Sequence, residues 1–508
     1  MFRRNVYRFF AMSELDRRLL DGQRLGIFPL HLDPPTTEQL KIIEGLLQAD
    51  NDIDHIRLIP NTRFAVSIGH SLHLAAMAHL ATKHLPNVSI DYTALESPDC
   101  HLPIVEKLLS QFPKSSVIHW LPDLHEATVW KGISSWAPNT KFILLKPKQF
   151  KPETGMLVSE ETRSMFPKRQ IVEVERSPGA DARRKLFEGE SDPKDIVPAS
   201  VLKYIDSHGL YRDFRKSKKY FWGVNTSSNP NAAAWHPTVS IQGSIPRLML
   251  LYDESNLIAQ EIYRKLKPFS VREGEEPDLI VPIGGDGYMM HSIRTHWRKF
   301  IPFFGVNAGH VGYLLNDAAT LEELFSAPLL LYQASMLYTE AETYEVEQDP
   351  VTKKMVNKKL FHHAFNDAWL ERSTGQTALI NVKINGVERL KRVRGDGVLV
   401  STALGSTAYS LALGASPIPV GSPLLQLVGS NIVSPARWKP VHLNNDVVVE
   451  LETIDPIKRP CRGFVDSVVV GDVKSMAVKA SRVAGVQIAF VESCDVQAKL
   501  YQMQFPTG

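Results

Sequence analysis

The sequence predicts an α/β protein that closes in a β-rich region, and three observations carry that prediction. Short apolar strands alternate with amphipathic helices over residues 22–212, the alternation resumes near residue 245, and from about residue 343 it gives way to β-branched runs of period two. Strand and helix in alternation imply a parallel sheet with helices on its faces. Period-two runs broken by turns imply antiparallel pairing. A chain of 508 residues has room for about three compact units.

The elements follow in order. Arg24-Leu-Gly-Ile-Phe is a strand, Thr37 to Gln48 has helical spacing, Ile56-Arg-Leu-Ile-Pro is a strand, and Ser71 to Thr82 is a helix. Val117-Ile-His-Trp and Lys141-Phe-Ile-Leu-Leu add strands, and a helix over Ile196 to His208 ends at Gly209. Residues 1–21 form an extension, and residues 213–244 read as a linker, with the charge run Arg215-Lys-Ser-Lys-Lys and the turn-forming Asn225-Thr-Ser-Ser-Asn-Pro-Asn. Residues 245–342 make a second α/β segment: the strand Arg247-Leu-Met-Leu-Leu-Tyr, a helix near Asn256 to Leu266, and the strand Asp278-Leu-Ile-Val-Pro-Ile. Residues 343–508 are β-rich, with Leu379-Ile-Asn-Val-Lys-Ile, Gly397-Val-Leu-Val-Ser and Val447-Val-Val-Glu-Leu as strands and Asn385-Gly386 as a hairpin turn.

Composition narrows the function classes. Hydrophobic residues at 44% and charged residues at 22% are ordinary for globular proteins. A net charge of +3 gives no general reason for a nucleic-acid or anionic-membrane partner, so anion binding has to be local. Cys100, Cys461 and Cys494 are far apart and form no CxxC pair, which fits a reducing compartment. No apolar run reaches the roughly 20 residues that cross a bilayer, and the start of the chain lacks a secretory apolar stretch. A cytoplasmic location is expected. Arg3, Arg4 and Arg8, with no acid before Glu14, leave an organelle matrix as the alternative.

The chemistry concentrates in four motifs. After the strand ending at Ile283 come Gly284-Gly285-Asp286-Gly287 and a helical stretch to Arg294. Glycines at a strand-to-helix turn let backbone N–H groups approach phosphate oxygens, and the helix N-terminus favours negative charge. A carboxylate among phosphates is repulsive unless it coordinates a metal or takes a proton, so Asp286 is the candidate base. Next, Phe304-Gly-Val-Asn307-Ala-Gly309-His310-Val-Gly312-Tyr313-Leu314 puts Asn307 and Tyr313 at the carboxyl end of a neighbouring strand, where open α/β sheets bind ligands. Asn366-Asp367 sets an amide beside a carboxylate at a strand entrance, a pair suited to ribose hydroxyls and a purine edge. Finally Arg394-Gly395-Asp396-Gly397 leads through a strand to Gly405-Ser406-Thr407-Ala408-Tyr409-Ser410, a turn of small residues that can admit a nucleotide against the backbone.

In order and spacing these motifs resemble the NAD kinases over about residues 245–508. GGDG alone is shared with lipid and sugar kinases, whereas the GSTAYS element is not expected there. The segment also ends in the family's manner near Gly463-Phe-Val-Asp466. Ala403-Leu404, Tyr288 and Ser416-Pro417 depart from the family's usual residues beside the key groups. The resemblance implies transfer of the terminal phosphoryl group of ATP, with Mg²⁺, to the 2′-hydroxyl of the adenosine ribose of NAD, giving NADP. It assigns the proton to Asp286 and the phosphate loop to Gly284, Gly285 and Gly287. The adenosine goes to Asn366 and Asp367, the adenine side to Tyr313 and Thr407, and the nicotinamide half to Asp396, Ala408 and Tyr409, with Asn307 nearby.

The opening Gly26-Ile-Phe-Pro-Leu-His-Leu-Asp33-Pro34-Pro35-Thr36-Thr37-Glu38-Gln39 is similar to that of the mononucleotide adenylyltransferases, Rossmann-like enzymes with a GxFDPPHxGH loop. The carboxyl-terminal signature of that family resembles the stretch from Asp181-Ala-Arg183 to His208-Gly-Leu-Tyr211. The loop's HxGH positions hold Thr36, Thr37, Glu38 and Gln39, and Pro178-Gly179-Ala180 replaces Ser-Ser-Thr before Arg183. The resemblance therefore implies a nucleotidyltransferase fold without its chemistry. The rival expectations are a bifunctional enzyme that keeps adenylyl transfer, another GGDG kinase acting on a lipid or sugar, and a nonenzymatic dinucleotide-binding regulator. The family also implies a homo-oligomer, with no nucleic-acid or membrane partner.

Overall fold

The computed structural model describes residues 24–49, 53–60, 68–96, 101–112, 114–120, 140–148, 166, 168–175, 182, 186, 193–208, 210–211, 238–239, 246–272, 275–309, 312–325, 329–348, 354–436 and 438–505. The chain divides into two units, Met1–Lys216 with Gln348–Met355, and Ser217–Glu347 with Val356–Gly508.

The first unit runs β1 (Leu25–Leu30), α1 (Thr37–Gln48), β2 (His55–Pro60), α2 (Ile68–Thr82), β3 (Val88–Ile90), α3 (Thr93–Glu96), α4 (His101–Gln111), β4 (Ser116–Trp120), β5 (Lys141–Pro147), β6 (Arg169–Val174), α5 (Pro193–Ile196) and α6 (Ala199–His208). Its six strands are all parallel, in the order β3-β2-β1-β4-β5-β6. Every residue of β1, β2 and β4 is buried, as expected for strands covered on both faces. The order reverses between β1 and β4, the place where doubly wound sheets bind ligands beyond their strand ends. The helix expected over residues 196–208 divides into α5 and α6, because Pro198 between them has no N–H to continue the ladder. Arg183, Pro178 to Ala180 and Cys100 lie outside the described residues.

The second unit opens with β7 (Thr238–Val239), β8 (Leu248–Tyr252), α7 (Leu257–Leu266), β9 (Leu279–Gly284), α8 (Asp286–His296) and β10 (Val306–Asn307). β8, β9 and β10 form a parallel sheet in the order β10-β9-β8, so Asp253, Gly285 and Asn307 gather at one end of it. The remainder is β11 (Leu329–Gln348), β12 (Met355–Ala364), β13 (Asp367–Arg372), β14 (Ala378–Ile384), β15 (Val387–Gly395), β16 (Gly397–Thr402), α9 (Tyr409–Ala412), β17 (Leu424–Ser430), β18 (Val441–Asn444), β19 (Val449–Thr453), β20 (Cys461–Val465), β21 (Val468–Val491) and α10 (Val496–Gln504). The strands from β13 to β21 follow the antiparallel order β15-β14-β19-β21-β20-β13-β16-β17-β18, and β11 pairs with β12, β21 and β7.

The β-rich texture begins at Leu329, ahead of the expected residue 343, because β11 opens with the continuous apolar run Leu329 to Tyr332, whose sequence shows no alternation. Within the expected linker, Thr238 and Val239 pair with Leu330 and Leu329. Asn385 and Gly386, both at positive φ (51° and 75°), close the β14–β15 hairpin as their sequence predicts. Phe303 bridges the parallel sheet to Ile488 of β21. One apolar core, with Ile283, Met289, Tyr313, Leu315, Phe365, Leu404, Ile488 and Phe490, therefore spans the α/β and β-rich parts of this unit. Cys461 and Cys494 are buried free thiols. Among the described residues no helix is long and apolar enough to cross a membrane.

Candidate active site

β9 delivers the chain to Gly284, and α8 starts two residues later at Asp286. Gly285 is the N-cap, so no side chain closes the first turn, and a Cβ at Gly285 or Gly287 would point into open space. Helix N-termini leave amides without intrahelical partners, and here Tyr288 N–H and Met289 N–H already donate to Gly285 O, which leaves those of Asp286 and Gly287. The Asp286 carboxylate is fixed by the facing loop. Tyr313 N–H donates to its Oδ2 at 2.9 Å and Leu314 N–H to its Oδ1 at 3.0 Å. Each oxygen keeps a further acceptor site.

That facing loop is anchored deeply. Asn316, fully buried, donates to the carbonyls of Gly305 and Ala489 and accepts from Val491 N–H. The Lys499 ammonium, from α10, donates to Leu315 O at 2.7 Å and to Asp317 Oδ1 at 3.1 Å. Tyr313 itself is 1% exposed. Its hydroxyl accepts from Val420 N–H and donates to Ile418 O, and burial pushes its pKa up to about 12. The ring therefore packs in the core, and Tyr313 reaches the site through its backbone N–H.

Segment 418–420 carries the circuit onward, since Ile418 N–H donates to Ser406 Oγ at 2.8 Å. The expected turn of small residues is a 3₁₀ turn, Leu404–Thr407, followed by the single helical turn α9. It sits directly on the Asn366-Asp367 pair. Thr402 N–H donates to Asn366 O, the Thr402 hydroxyl donates to Phe365 O, and Gly405 N–H donates back to that hydroxyl. A Cβ on Gly405 would lie 2.1 Å from the Asn366 carbonyl oxygen, so only glycine permits this approach.

Asn366 and Asp367 are held from the other side by Asp466. The Asp466 carboxylate accepts N–H bonds from Phe365 (2.6 Å), Asn366 (2.7 Å) and Asp367 (3.4 Å), and Arg294 Nε on α8 lies 3.5 Å from it. Because α8 also begins with Asp286, the circuit closes. Among the described residues neither the Asn366 amide nor the Asp367 carboxyl makes a side-chain hydrogen bond within the protein, which leaves both for a ligand. Burial, and after it the Asp466 charge, raises Asp367 to about 7. Burial pushes Asp466 upward too, but three N–H groups and Arg294 favour its charged form.

Known proteins can be set beside this geometry. No family model matches the chain. The NAD kinase of Xylella fastidiosa is 31% identical over 234 residues, which cover 46% of this chain and 85% of that one. The chain belongs to the NAD kinase family. The Rickettsia prowazekii NAD kinase is 28% identical over 262 residues, 52% of this chain and 99% of its own. The yeast NADH kinase structure complexed with NADH is similar over 56% of this chain and 94% of its own, with a TM-score of 0.43 and 17% identity.

Within this member of the NAD kinase family, the remaining expected residues divide. Asn307 ends β10 beside Gly284, and its side-chain oxygen accepts from Gly309 N–H at 3.0 Å in the loop that follows. Tyr409 is half-exposed, 5.4 Å from the Trp369 ring, and Trp369 shares a face of β13 with Asp367. Thr407 donates to Leu404 O, and Ala408 is the hinge between the 3₁₀ turn and α9. Asp396 is not brought to this cluster. It precedes β16, whose other end, Ser401, pairs with Asp367, and five residues of strand put it about 16 Å away. Asn431, and after it Arg372, engage its two oxygens and hold its pKa low.

The motif reading missed Asp466, Arg294 and Thr402. Asp466 entered the reading only as the end of Gly463-Phe-Val-Asp466, with no role, and nothing local reveals that its carboxylate reaches residues a hundred positions away.

In the first unit, Thr36 and Gln39 are buried and bonded to one another. Gln39 N–H donates to Thr36 Oγ1 (3.2 Å) and Thr36 N–H to Gln39 Oε1 (2.9 Å), while Gln39 Nε2 donates to His31 O (2.7 Å). The positions that would carry phosphate-facing histidines therefore cap α1 instead.

Proposed function

We propose that this member of the NAD kinase family transfers the γ-phosphoryl group of ATP to the 2′-hydroxyl of the adenosine ribose of NAD. The observation that carries this reading is the carboxylate of Asp286, fixed by two backbone amides at an uncapped helix start and linked through a closed circuit to an Asn-Asp pair with free polar groups. The uncapped turn and Gly284, Gly285 and Gly287 receive the donor's phosphates. Asn366 and Asp367 hold the adenosine ribose and purine edge; a neutral Asp367 both donates and accepts. Asp286 takes the proton as the 2′-oxygen bonds to the γ-phosphorus and the bond to the ADP oxygen breaks, leaving NADP and ADP. Among the described residues no cluster of three or more His, Cys, Asp or Glu is fit to hold a metal ion. Mg²⁺ accompanying ATP would supply charge neutralisation to the donor's phosphates, and no protein ligand is assigned to it.

The test is a coupled assay for NADP with ATP, Mg²⁺ and NAD. Turnover of NAD, with none of diacylglycerol or fructose 6-phosphate, is expected; the reverse preference would sink the assignment. The Asn307, Thr407, Ala408 and Tyr409 positions remain proposals as border residues of the same site, and homo-oligomerisation is a proposal that sedimentation would test.

The first unit is read as a nucleotidyltransferase-type fold without adenylyl transfer. Its strand order and the loop after β1 support the type, and the capping of α1 by Thr36 and Gln39 supports the loss. In the full-length Asp286→Asn protein, ATP with nicotinamide or nicotinate mononucleotide should yield no dinucleotide above background. Substantial product would reverse this reading.

A further inference from the structure

We infer that Asp466, tied to Arg294, is a positioning residue that sets the Asn366-Asp367 segment at a fixed reach from the base on the same helix. The inference rests on the reading of that segment as the adenosine site. Three consecutive amides, those of Phe365, Asn366 and Asp367, turn toward one carboxylate. Consecutive N–H groups converging on an anion form a concave nest, and here the anion belongs to the protein. With its amides committed to Asp466 and the carbonyls of Phe365 and Asn366 to Thr402, this backbone is held on both edges.

Asp466 is itself built for the task. It sits with Ser467 in the two-residue turn joining β20 to β21, both at positive φ (48° and 67°). Such turns are usually Asn-Gly or Asp-Gly, since most side chains resist positive φ. Asp466 N–H also donates to Asp367 O at 2.9 Å, so the turn grips the segment by backbone as well as by carboxylate. Arg294 supplies the link to the phosphate side. It stands eight residues after Asp286 in α8, about 12 Å along the axis, so one rigid helix carries the base at one end and the anchor at the other. A 2′-hydroxyl bound through the Asn366-Asp367 segment is thereby placed relative to Asp286, and positioning errors near 1 Å are costly in such reactions.

The experiment compares Asp466→Asn, Arg294→Gln and Asn366→Ala, singly and with Asp466→Asn combined with Asn366→Ala, by steady-state kinetics on the full chain. Loss of charged hydrogen bonds should raise the KM for NAD roughly 5- to 100-fold in Asp466→Asn and less in Arg294→Gln. The KM for ATP should stay within about twofold, and the effect of Asp466→Asn should shrink severalfold when Asn366 is already alanine. Arg294→Gln, a change on the half-exposed helix surface, keeps the test alive if Asp466→Asn does not fold. Parallel rises in both KM values, or full additivity with Asn366→Ala, would make Asp466 a general fold residue and overturn the inference alone. An unchanged NAD KM in Asn366→Ala would overturn the adenosine-site reading itself, and the inference with it.

Discussion

At the end of β1 the chain passes through Asp33-Pro34-Pro35 into α1; at the end of β9 it passes through Gly284-Gly285 into α8. Both junctions lead from a buried parallel strand to a helix N-terminus, the geometry that gathers anions. They differ in who satisfies the first-turn amides. In the first unit Thr36 and Gln39 do so in a reciprocal capping box, and Tyr211 donates its hydroxyl to Asp33 just upstream. In the second unit no side chain does. A helix start capped by its own side chains is stabilised, and those side chains fill the place a phosphate would take. One left open by glycine gives up that stabilisation and keeps its donors for a ligand.

The open junction is tested most severely at its carboxylate. Asp286→Asn keeps shape and still offers one acceptor oxygen to the loop, but it cannot take a proton. Turnover should fall about 10²–10⁴-fold, with the KM for NAD and ATP within a few fold. Near-normal kcat in the NADP assay would remove Asp286 from the role of base.

Gly405→Ala tests whether the circuit around that junction matters. Its Cβ would fall within 2.1–2.6 Å of the Asn366 carbonyl oxygen, carbon and Cα, all backbone atoms that move only with the segment. A displacement of about 1 Å at a reacting substrate can cost about 10²-fold, so kcat/KM for NAD should drop on that scale. Wild-type kinetics in this variant would mean that the GSTAYS turn does not position the Asn-Asp pair.

Much of this contrast was legible in the sequence, and for a physical reason. Glycine beside aspartate at a strand end states its purpose within four residues, and Thr36 to Gln39 show the loss of the HxGH histidines though not the cap that replaces them. β1, α1, β8, β9 and α8 are equally local: each shows its period within one window. What the sequence hides is long-range. The carboxylate of Asp466 and the ammonium of Lys499 each serve a segment more than 95 residues distant, and the core placement of the Tyr313 ring depends on the Ile418 and Val420 backbone. The separation of Asp396 from Asp367, about 16 Å along the strand, likewise follows from strand length and direction, which a motif sequence does not encode.

Asp367 provides a test by pH. Its pKa, 3.8 in the unfolded chain and about 7 when folded, means that the folded protein holds a proton which the unfolded chain releases between those values. Stability from this group is therefore present at low pH and lost as pH rises from about 4 to 7, by on the order of a few kcal/mol. Asp367→Asn has no such proton. Thermal unfolding at pH 5 and pH 8 should show the wild type losing more than the variant on going to pH 8; parallel changes would mean that the buried carboxyl is not protonated.

The smallest effect belongs to the closed junction, and it tests the comparison from the other side. Gln39→Ala removes both halves of the side-chain contribution from residue 39: the acceptor for Thr36 N–H and the donor to His31 O. Thr36 Oγ1 still accepts from the residue-39 amide, so the cap is weakened rather than abolished, at a cost of about 1 kcal/mol. Hydrogen exchange reads this locally. ATP added to the unmodified protein should slow exchange at the amides of Asp286 and Gly287 and leave those of Thr37 to Leu40 unchanged, because no side chain caps the first set, whereas at the second Gln39 N–H and Leu40 N–H are already bonded and the Thr36 and Gln39 side chains occupy the cap. In Gln39→Ala the exchange of Thr36 should quicken by roughly fivefold, the factor that 1 kcal/mol sets, with or without ATP. Protection of residues 37–40 by ATP in the unmodified protein would show that the capping box opens to a nucleotide, and the distinction between the two junctions would collapse.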